Sequence, residues 1–495
     1  YFLNMKYVLE NEENLDLRQG LAKRIIIGKN RFTIITSDKF RYTSKCLVIC
    51  TGTFLRGEIF WGKNRLEAGR KGEISSISLV ESLEEAGYRF SRLKTDTPPR
   101  VDKKTINFKE LKVQEYDKGP KLFSYESKRD KRRQVENYIT YAEKECINYI
   151  KKNIRKSAFY AKKGKREGPK YCPSIEEKVM RFPERERHLV FIQPEGLDTN
   201  EMYLHGLMTT FPEDIQYGIL KRIKGTEDAI ITRHGYGVEY DYLKSFQINN
   251  TLESKSHSGL FFAGQINGTT GYDEAAAQGI VGGINAARRS QGEEGIIIKR
   301  EDGYIGVLID DLVVKGVTEP YRMLTSRNEY RLHHRHDNAD YRMAKFLPCI
   351  GLSQEQERIL KKYKNIERVK DELKFTPFYN KIKKDMLSNN DLNYISSKYN
   401  LSEEEAGGVV IKLKYEDYIK REEKKIRTIT NNMDFKIPDG ICYSDIHNLS
   451  NEATKSLNNK KPQTLEQARR IEGVSSADIF SLLCYIKNVS RETME

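Results

Sequence analysis

A cysteine set among cations is the residue in this sequence best suited to chemistry. Cys172 lies between Tyr171 and Pro173, with Lys170 and Arg181 close by along the chain. Nearby cations lower the pKa of a thiol and increase the fraction of thiolate, which is the nucleophilic form. A lone cysteine is otherwise a small, buried, hydrophobic residue. The pattern leaves both interpretations of Cys172 open, a reactive thiol and a packed core residue.

Two apolar strands that run into glycine indicate a cofactor site. Residues 46–50 form an apolar run that stops at 51–53, and 259–264 runs into the glycine-rich turn 265–272. The helix of small residues expected from 274 onward would point its free N–H groups at a phosphate or a cofactor carbonyl. A tight β–loop–α packing unit without ligand is the alternative, but the presence of two such units favours a cofactor.

Two further segments carry clusters of basic residues. The stretch 151–170 interleaves lysines and arginines with aromatic residues, a pattern that can hold phosphates and stack bases. For any single lysine there, a solvated helix face is the competing interpretation. Segment 325–340 contains His333, His334 and His336 among arginines. Because no cysteine lies near these histidines, we expect an electrostatic or structural network there and no metal site.

The composition sets limits on the class of protein. The chain has 495 residues and a net charge of +15, which favours a polyanionic partner, although a lysine-rich genome would give the same charge. No apolar run approaches the ~20 residues of a membrane helix, and no signal peptide pattern is present. The seven cysteines are scattered without a CxxC pair, which predicts a reducing cytoplasm and no disulfide framework.

The elements that must position these residues change in character along the chain. Residues 1–60 are expected to be rich in strands, with a hairpin around the turn Ser37-Asp38-Lys39. Residues 95–245 have the character of an inserted domain. After 290, charged segments with Leu/Ile periodicity predict helices. Ser402 and Glu405 form a capping-box pattern, and Ser475 or Ser476 is expected to cap a terminal helix whose apolar face carries Ile479, Leu482, Leu483 and Ile486.

Several long blocks of the sequence resemble the MnmG (GidA) family of tRNA-modifying flavoenzymes, and the similarity runs essentially from end to end. Residues 168–182 fit one family block without a break. Residues 263–286 fit a second, with Gly282 where alanine is usual, and 92–100 fit a third, with Asp96 where glycine is usual. Shorter blocks at 194–197, 235–241, 319–322 and 325–340 agree as well.

This resemblance implies the fold. We expect an α/β FAD-binding domain of the two-nucleotide flavoprotein type, interrupted by an inserted α+β domain and followed by an α-helical C-terminal domain. The FAD-binding domain would comprise 1–95 and 246–292, and the inserted domain, facing NADH and tRNA, 96–245. A helical linker domain would span 293–399, and 400–495 would form the C-terminal helices that bind a partner.

The resemblance also implies an activity and its partners. Members form homodimers that join the GTPase MnmE in a heterotetramer and build the 5-carboxymethylaminomethyl group on the wobble uridine of certain tRNAs. FAD and NADH are the redox cofactors, and methylenetetrahydrofolate is the carbon donor. A bacterial cytoplasm is the expected location, with no membrane association; a mitochondrial relative is the alternative.

Site residues follow from the matching blocks. Cys172 matches a cysteine implicated in catalysis, as a nucleophile toward uracil C6 or as a general acid. The FAD contacts are expected at Gln265, Ser76, Leu21, Gly264 and Gly268. The block assigned to NAD comprises Gly168, Pro169, Lys170, Tyr171, Cys172, Pro173, Ser174, Ile175, Glu176, Glu177, Lys178, Val179, Met180, Arg181 and Phe182. The candidate tRNA contacts are Lys162, Lys163, Arg166, Arg331 and Arg335.

Two features of the chain depart from the family pattern. It starts at Tyr1 without a start signal, and it contains no GxGxxG, the loop on which an FAD pyrophosphate normally rests. We therefore expect that the first glycine-loop unit and a second family cysteine are missing. An inactive tRNA- or partner-binding remnant is one alternative function. A TrmFO-like, folate-dependent tRNA uridine methyltransferase is another, although that family lacks the 168–182 block and the long helical tail.

Overall fold

The chain folds into two compact units, described from a computed structural model. The structure describes residues 2–115, 135–161, 173–433, 435–438, 440–471, 473–475, 478–479 and 481–486. The first unit comprises 1–116 and 133–243, and the second comprises 117–132 and 244–495. No helix in the described part of the chain is long and apolar enough to cross a membrane.

The first unit contains most of the strands. Its strands are β1 (Ala22–Ile27), β2 (Phe32–Thr36), β3 (Arg41–Ser44), β4 (Leu47–Ile49), β5 (Glu58–Trp61), β6 (Asn64–Arg70), β7 (Glu73–Ile74), β8 (Phe90–Thr97), β9 (Arg100–Asp102), β10 (Lys112–Val113), β11 (Tyr138–Ala142), β12 (His188–Pro194), β13 (Glu201–His205), β14 (Ile231–Arg233) and β15 (Tyr236–Leu243). Its helices are α1 (Phe2–Glu10), α2 (Ile77–Glu85), α3 (Lys144–Asn153), α4 (Ala158–Ala161), α5 (Ile175–Arg181) and α6 (Glu213–Leu220).

Three antiparallel sheets organise this unit. They have the strand orders β1-β2-β3, β7-β6-β5-β15-β8 and β10-β11-β12-β13-β9-β14. The predicted hairpin is confirmed, since β2 pairs with β3 and Lys39 takes the left-handed φ of +68° in the turn. The opening residues differ from the expectation of strands, because 2–10 form helix α1.

The inserted region has its own core. Apolar residues of α3, α5 and α6, among them Ile150, Val179 and Ile219, pack against Val190 and Leu204 of β12 and β13. All five side chains are almost fully buried, so this core supplies the hydrophobic stabilisation that holds α5 in place. The α+β character expected for this region is thereby confirmed.

The second unit is largely helical after one buried strand. Its elements are β16 (Leu260–Phe262), α7 (Tyr272–Ser290), α8 (Tyr304–Asp310), α9 (Ala339–Met343), α10 (Ser353–Leu373), α11 (Pro377–Lys383), α12 (Asn389–Tyr399), α13 (Glu403–Met433), α14 (Asn451–Lys460) and α15 (Leu465–Arg469). Helix α8 continues into a π-helical turn, Asp311–Lys315. One helical core centres on Ile366, Val369 and Val409, and a second on Leu457 and Leu482.

Both predicted helix caps are present. The Glu405 carboxylate accepts from the backbone N and the hydroxyl of Ser402, both at 2.8 Å, and the Glu405 N–H donates to the Ser402 hydroxyl at 3.2 Å. Of the two serines proposed for the terminal helix, Ser475 is the cap, because its hydroxyl accepts from Asp478 N at 3.2 Å. Of the four residues predicted for the apolar face of this helix, Ile479, Leu482 and Ile486 are buried and Leu483 is partly buried.

Candidate functional site

Leu21 and Ser76, far apart in the chain, line the same cavity of the first unit. The Ser76 hydroxyl donates to the carbonyl of Ala22 at 2.9 Å, which ties the start of α2 to the start of β1. The cavity has a volume of about 180 Å³, and Lys23 and Glu67 also line it. The neighbouring Ser75 hydroxyl is buried and has no hydrogen-bond partner within the described chain. A polar ligand group would satisfy this hydroxyl.

A glycine turn in the second unit holds Gln265. Gly264 and Gly268 adopt left-handed φ values of +84° and +91°, which glycine tolerates without strain. Gln278 of α7 accepts from the Asn267 amide at 2.9 Å and donates to the Thr269 hydroxyl at 3.1 Å. These two hydrogen bonds fix the turn to α7. The half-buried Gln265 amide makes no hydrogen bond to any described residue. It is therefore available to a ligand.

The start of α7 carries charge of both signs. The Glu274 carboxylate accepts from Arg322 Nε at 3.1 Å and from Met323 N at 2.6 Å, and Glu274 is 2% exposed. Its second oxygen, Oε2, is buried without a hydrogen-bond partner among the described residues. At the positive end of the helix, the charges of Glu274 and Arg322 therefore cancel each other. The attraction expected between this turn and an anion is reduced as a result.

Helix α5 begins at a buried capping box. The Glu177 carboxylate accepts from Ser174 N at 3.1 Å and from the Ser174 hydroxyl at 3.2 Å, and Glu177 N donates to that hydroxyl at 3.3 Å. The Glu176 carboxylate accepts from Thr210 N at 2.8 Å and from the Ser157 hydroxyl at 3.1 Å. These contacts fix the described part of the segment assigned to NAD.

That segment divides into inward and outward side chains. Pro173, Ser174, Ile175, Glu176, Glu177 and Val179 are buried. Lys178 is partly buried, and its ammonium donates to the Gly206 carbonyl at 3.0 Å. Met180 and Phe182 are exposed, and the Arg181 side chain is 40% exposed. Among the described residues of this block, Met180 and Phe182 are therefore open to a ligand, whereas Arg181 is already paired with Glu177 at 3.2 Å.

A buried lysine lies behind α5. Lys94 Nζ is 2.9 Å from Asp96 Oδ2 and 3.9 Å from Glu177 Oε2, and it lies 4.1 Å from the centroid of the Phe159 ring. Burial opposes the charge of Lys94, but the nearby carboxylates outweigh it and raise its pKa. Burial raises the pKa of Asp96, against the attraction of Lys94. The nearby carboxylates therefore keep Lys94 protonated, although its side chain is only 1% exposed.

The three histidines of the 325–340 segment do not act alike. The His334 ring is buried, and its Nε2 lies 2.9 Å from the Glu301 carbonyl, which can only accept. Nε2 therefore carries the proton, and Nδ1 accepts from the Asn328 amide at 3.0 Å. Burial lowers the pKa of His334 to about 4, so the ring is neutral at neutral pH. His333 packs beside it, with ring centroids 5.6 Å apart, and His336 is exposed. Within the described ranges, no cluster of His, Cys, Asp and Glu has the composition of a metal site.

The two described candidates for tRNA contact differ sharply. Arg335 binds Asp337 with two hydrogen bonds, of 2.9 and 3.1 Å, and also donates to the Leu332 carbonyl. Arg331 is exposed, and its guanidinium makes only a 3.4 Å contact to the Asn328 carbonyl. Arg331 forms no ion pair with a described residue. Its charge is therefore available to a phosphate, whereas that of Arg335 is used internally.

Some predicted residues lie outside the described ranges. These are Lys162, Lys163, Arg166, Gly168, Pro169, Lys170, Tyr171 and Cys172.

Sequence reasoning missed two buried charged groups. The first is the pair Lys94 and Asp96 on one face of β8. Residues two apart in a strand share a face, so a Lys and an Asp at this spacing could have predicted an ion pair. Arg300, 7% exposed, forms ion pairs with three carboxylates of the second unit, and its sequence context gives no such signal.

Comparison with known proteins identifies what the chain resembles. Residues 1–294 match the family model described as glucose inhibited division protein A, and 425–495 match that of the tRNA modifying enzyme MnmG/GidA C-terminal helical bundle. The tRNA uridine 5-carboxymethylaminomethyl modification enzymes MnmG of Geobacillus kaustophilus and of Bacillus cereus are 42% identical over 98% of this chain and 82% of their own length. Aquifex aeolicus GidA, in its form II crystal, superposes with a TM-score of 0.88 at 39% identity, over 98% of this chain and 82% of that one.

Proposed function

The chain belongs to the MnmG (GidA) family, and on that premise we propose that it forms 5-carboxymethylaminomethyluridine at the tRNA wobble position with FAD and NADH. The observation that carries the proposal is the 42% identity to MnmG enzymes over 98% of the chain. The expected α/β and α+β region followed by helices agrees with the superposition on GidA.

The residues proposed for FAD have contacts that suit a flavin nucleotide. Leu21 and Ser76 line one cavity, together with the Ser75 hydroxyl, which has no hydrogen-bond partner among the described residues. Gln265, whose amide makes no hydrogen bond to a described residue, lies in the turn with the left-handed glycines 264 and 268, and these are the second group of proposed contacts. When bound, FAD supplies the redox chemistry of the reaction. The residues named here would hold it, and none of them transfers electrons.

Cys172 is proposed as the residue that acts on uracil. Its thiolate would add to C6, so that the C5–C6 electron pair moves toward O4 and C5 becomes nucleophilic. C5 then bonds to the methylene carbon of the donor, while a bond from that carbon to a folate nitrogen breaks and the nitrogen keeps the electron pair. After C5 has lost its proton, the S–C6 bond breaks and the thiolate leaves. Methylenetetrahydrofolate is proposed as the carbon donor. A general-acid role of the same thiol remains the alternative, and pyrimidine chemistry at C5 favours the nucleophile.

The proposed partners are tRNA, the GTPase MnmE and a second copy of the chain. Arg331 is proposed to contact a tRNA phosphate, together with Lys162, Lys163 and Arg166. Arg335 is not retained as a contact, because its guanidinium is paired with Asp337. Residues 400–495 are proposed to bind the GTPase MnmE, because 425–495 match the family's C-terminal bundle. A homodimer is proposed from the family resemblance alone. A location in a bacterial cytoplasm is proposed because the relatives named above come from bacteria.

A spectrum of the purified 495-residue chain tests the cofactor. Stoichiometric flavin absorbance supports FAD binding, and its absence after incubation with FAD supports the remnant interpretation. Gln265→Ala should weaken FAD binding about 10-fold through loss of the amide contact. Gln291→Ala, at the exposed far end of α7, is the matched control and should bind FAD like the wild type.

Nucleoside analysis of tRNA tests the reaction. Incubation with MnmE, GTP, FAD, NADH, methylenetetrahydrofolate and glycine, the nitrogen donor that the family resemblance implies, should convert wobble uridine. Cys172→Ala should abolish the product. Cys349→Ala removes an exposed cysteine of the second unit and should leave the product unchanged. Full activity of Cys172→Ala would refute the catalytic assignment, and a 5-methyluridine product would favour the TrmFO-like alternative.

A further inference from the structure

A short turn of the second unit holds the loop that presents Arg331. Arg300 Nε and Nη2 each lie 2.7 Å from one oxygen of the Glu329 carboxylate, which is a bidentate ion pair. The carbonyl of Glu301 accepts from the His334 ring at 2.9 Å. Consecutive residues of the turn therefore hold the loop on both sides of Arg331. The loop between these anchors has little freedom, although Arg331 itself is exposed.

The same arginine reaches the end of α8. Arg300 Nη1 lies 3.1 Å from Asp310 Oδ2 and 2.8 Å from Asp311 Oδ1. Asp311 also binds Lys315 at 2.7 Å and the Tyr321 hydroxyl at 2.9 Å. Burial opposes the charge of Asp311, but Arg300 and Lys315 outweigh it and lower its pKa. Arg300 is thus paired with Glu329 of the loop and with Asp310 and Asp311 at the end of α8.

The C-terminal helices reach this network through Arg470, the residue that directly follows α15. Nη2 of Arg470 lies 2.6 Å from Asp310 Oδ2, the same oxygen that Arg300 contacts. Gln467, one turn earlier, donates to Asn250 Oδ1 at 3.0 Å, and the Asn250 amide lies 3.4 Å from Asp310 Oδ1. Asp310 is therefore held between an arginine of the loop network and an arginine of the C-terminal helices.

We propose that Arg300 and Arg470 are positioning residues for tRNA binding, which couple the C-terminal helices to Arg331 through the shared carboxylate of Asp310. This inference rests on the proposed contact of Arg331 with a tRNA phosphate. When Arg470 is in place, Asp310 is fully paired and directs Arg300 toward Glu329. When the C-terminal helices shift, Asp310 loses one cation and draws Arg300 toward itself, which weakens the bidentate pair that holds the loop.

Linkage makes the coupling reciprocal. If the position of α15 changes the affinity for tRNA, then tRNA changes the stability of α15 by the same free energy. A protein that binds the C-terminal helices would alter tRNA affinity without touching the RNA. A purely stabilising ion network would change the unfolding of the chain but not the affinity of the folded protein for RNA.

The salt dependence of tRNA binding distinguishes a positioning residue from a contact. The logarithm of the association constant falls linearly with the logarithm of the salt concentration, and each lost phosphate contact reduces the slope by about one. The ligand is an unmodified transcript with uridine at the wobble position, titrated at four salt concentrations. Arg331→Met should lower both the affinity and the slope, the latter by about one.

Arg470→Met should lower the affinity at least about 5-fold and leave the slope unchanged. Arg469→Met is the matched control, because Arg469 is the neighbouring residue, at the end of α15, and binds only Glu466 among the described residues, at 3.1 Å. It should bind tRNA like the wild type. If Arg470→Met unfolds the C-terminal helices, Gln467→Leu is the second variant, because it removes the uncharged contact between α15 and Asn250. It should lower the affinity for tRNA in the same way.

The outcomes separate this inference from the function on which it rests. Wild-type affinity for Arg470→Met and Gln467→Leu, with Arg331→Met weakened, overturns the coupling and leaves the tRNA contact intact. A slope reduced in Arg470→Met as in Arg331→Met makes Arg470 a direct contact and overturns the positioning role. An unchanged slope in Arg331→Met overturns both the contact and the coupling.

Discussion

Lys94 and Asp96 form an ion pair of 2.9 Å in which each side chain is only 1% exposed. The pair lies on one face of β8, and Glu177 of α5 is 3.9 Å from the same ammonium. Asp96 therefore depends on this buried cation, whereas Glu177 also accepts from Ser174 and from Arg181. Removing the cation leaves the Asp96 charge without solvent and without its cation, which is the costly way to disrupt a buried pair.

Lys94→Met should lower the free energy of unfolding by about 3–5 kcal/mol, measured by urea denaturation. The charge-balanced variant Lys94→Met with Asp96→Asn should recover at least about 2 kcal/mol of this loss, because no unpaired Asp96 carboxylate remains. Lys156→Met, at an exposed lysine of the same unit, should change stability by less than about 0.5 kcal/mol. A double variant as unstable as Lys94→Met would show that the pair is not the origin of the loss.

Gly264→Ala should destabilise the chain by about 1–2 kcal/mol, because an L-residue is strained at the φ of +84° observed there. The space itself is sufficient, since an added Cβ would lie 3.6 Å from Ala275. Gly283→Ala, on the exposed face of α7 with no described atom within 4 Å of its Cβ, should instead stabilise by about 0.5–1 kcal/mol. Thermal unfolding of the two variants measures both effects, and a loss of stability in Gly283→Ala would show that this face is covered.

The sequence predicted local structure well where pattern and chemistry coincide. The 37–39 hairpin turn, the small-residue helix and the Ser402–Glu405 cap each depend on residues adjacent in the chain, and each is present. The fold class followed from the family resemblance and agrees with the superposition. The domain boundaries and the roles of the site residues stay predictions.

Long-range contacts were not accessible to this reasoning. Arg300 meets Glu329 across 29 positions and Lys94 meets Glu177 across 83, and neither pairing leaves a local pattern. Arg331 and Arg335 have the same side chain in one segment, yet only the structure shows that Arg335 is paired with Asp337. Helix α1 was missed because its apolar residues are largely exposed and give no amphipathic pattern.

His334 should make stability fall as the pH decreases from about 6.5 to about 4. Burial lowers the pKa of His334 to about 4 in the folded state, whereas an unfolded histidine titrates near 6.5. Between these values the unfolded state binds a proton that the folded state does not, so stability rises with pH across this window and is lost on acidification. The upper limit of the effect is about 3 kcal/mol.

His334→Gln removes the titrating group, so it should flatten the dependence of unfolding free energy on pH between 4 and 6.5 by about one proton. Urea denaturation at half-unit pH steps measures the slope for both proteins. NMR titration of the ring in the folded chain gives the pKa directly. A folded-state pKa above 6 for His334, or equal slopes in the two proteins, would contradict the burial of a neutral ring.

Substitution of Arg335 should lower the stability of the chain, whereas substitution of Arg331 should not. Arg335→Ala removes two hydrogen bonds to Asp337 and one to the Leu332 carbonyl, and it leaves a partly buried carboxylate without its cation. We expect a loss of about 1–3 kcal/mol in the free energy of unfolding. Arg331→Ala removes an exposed side chain without an ion pair to any described residue, and should change stability by less than about 0.5 kcal/mol. Equal losses in the two variants, measured by urea denaturation, would mean that Arg331 also has an internal partner, and its guanidinium would then not be free for a phosphate.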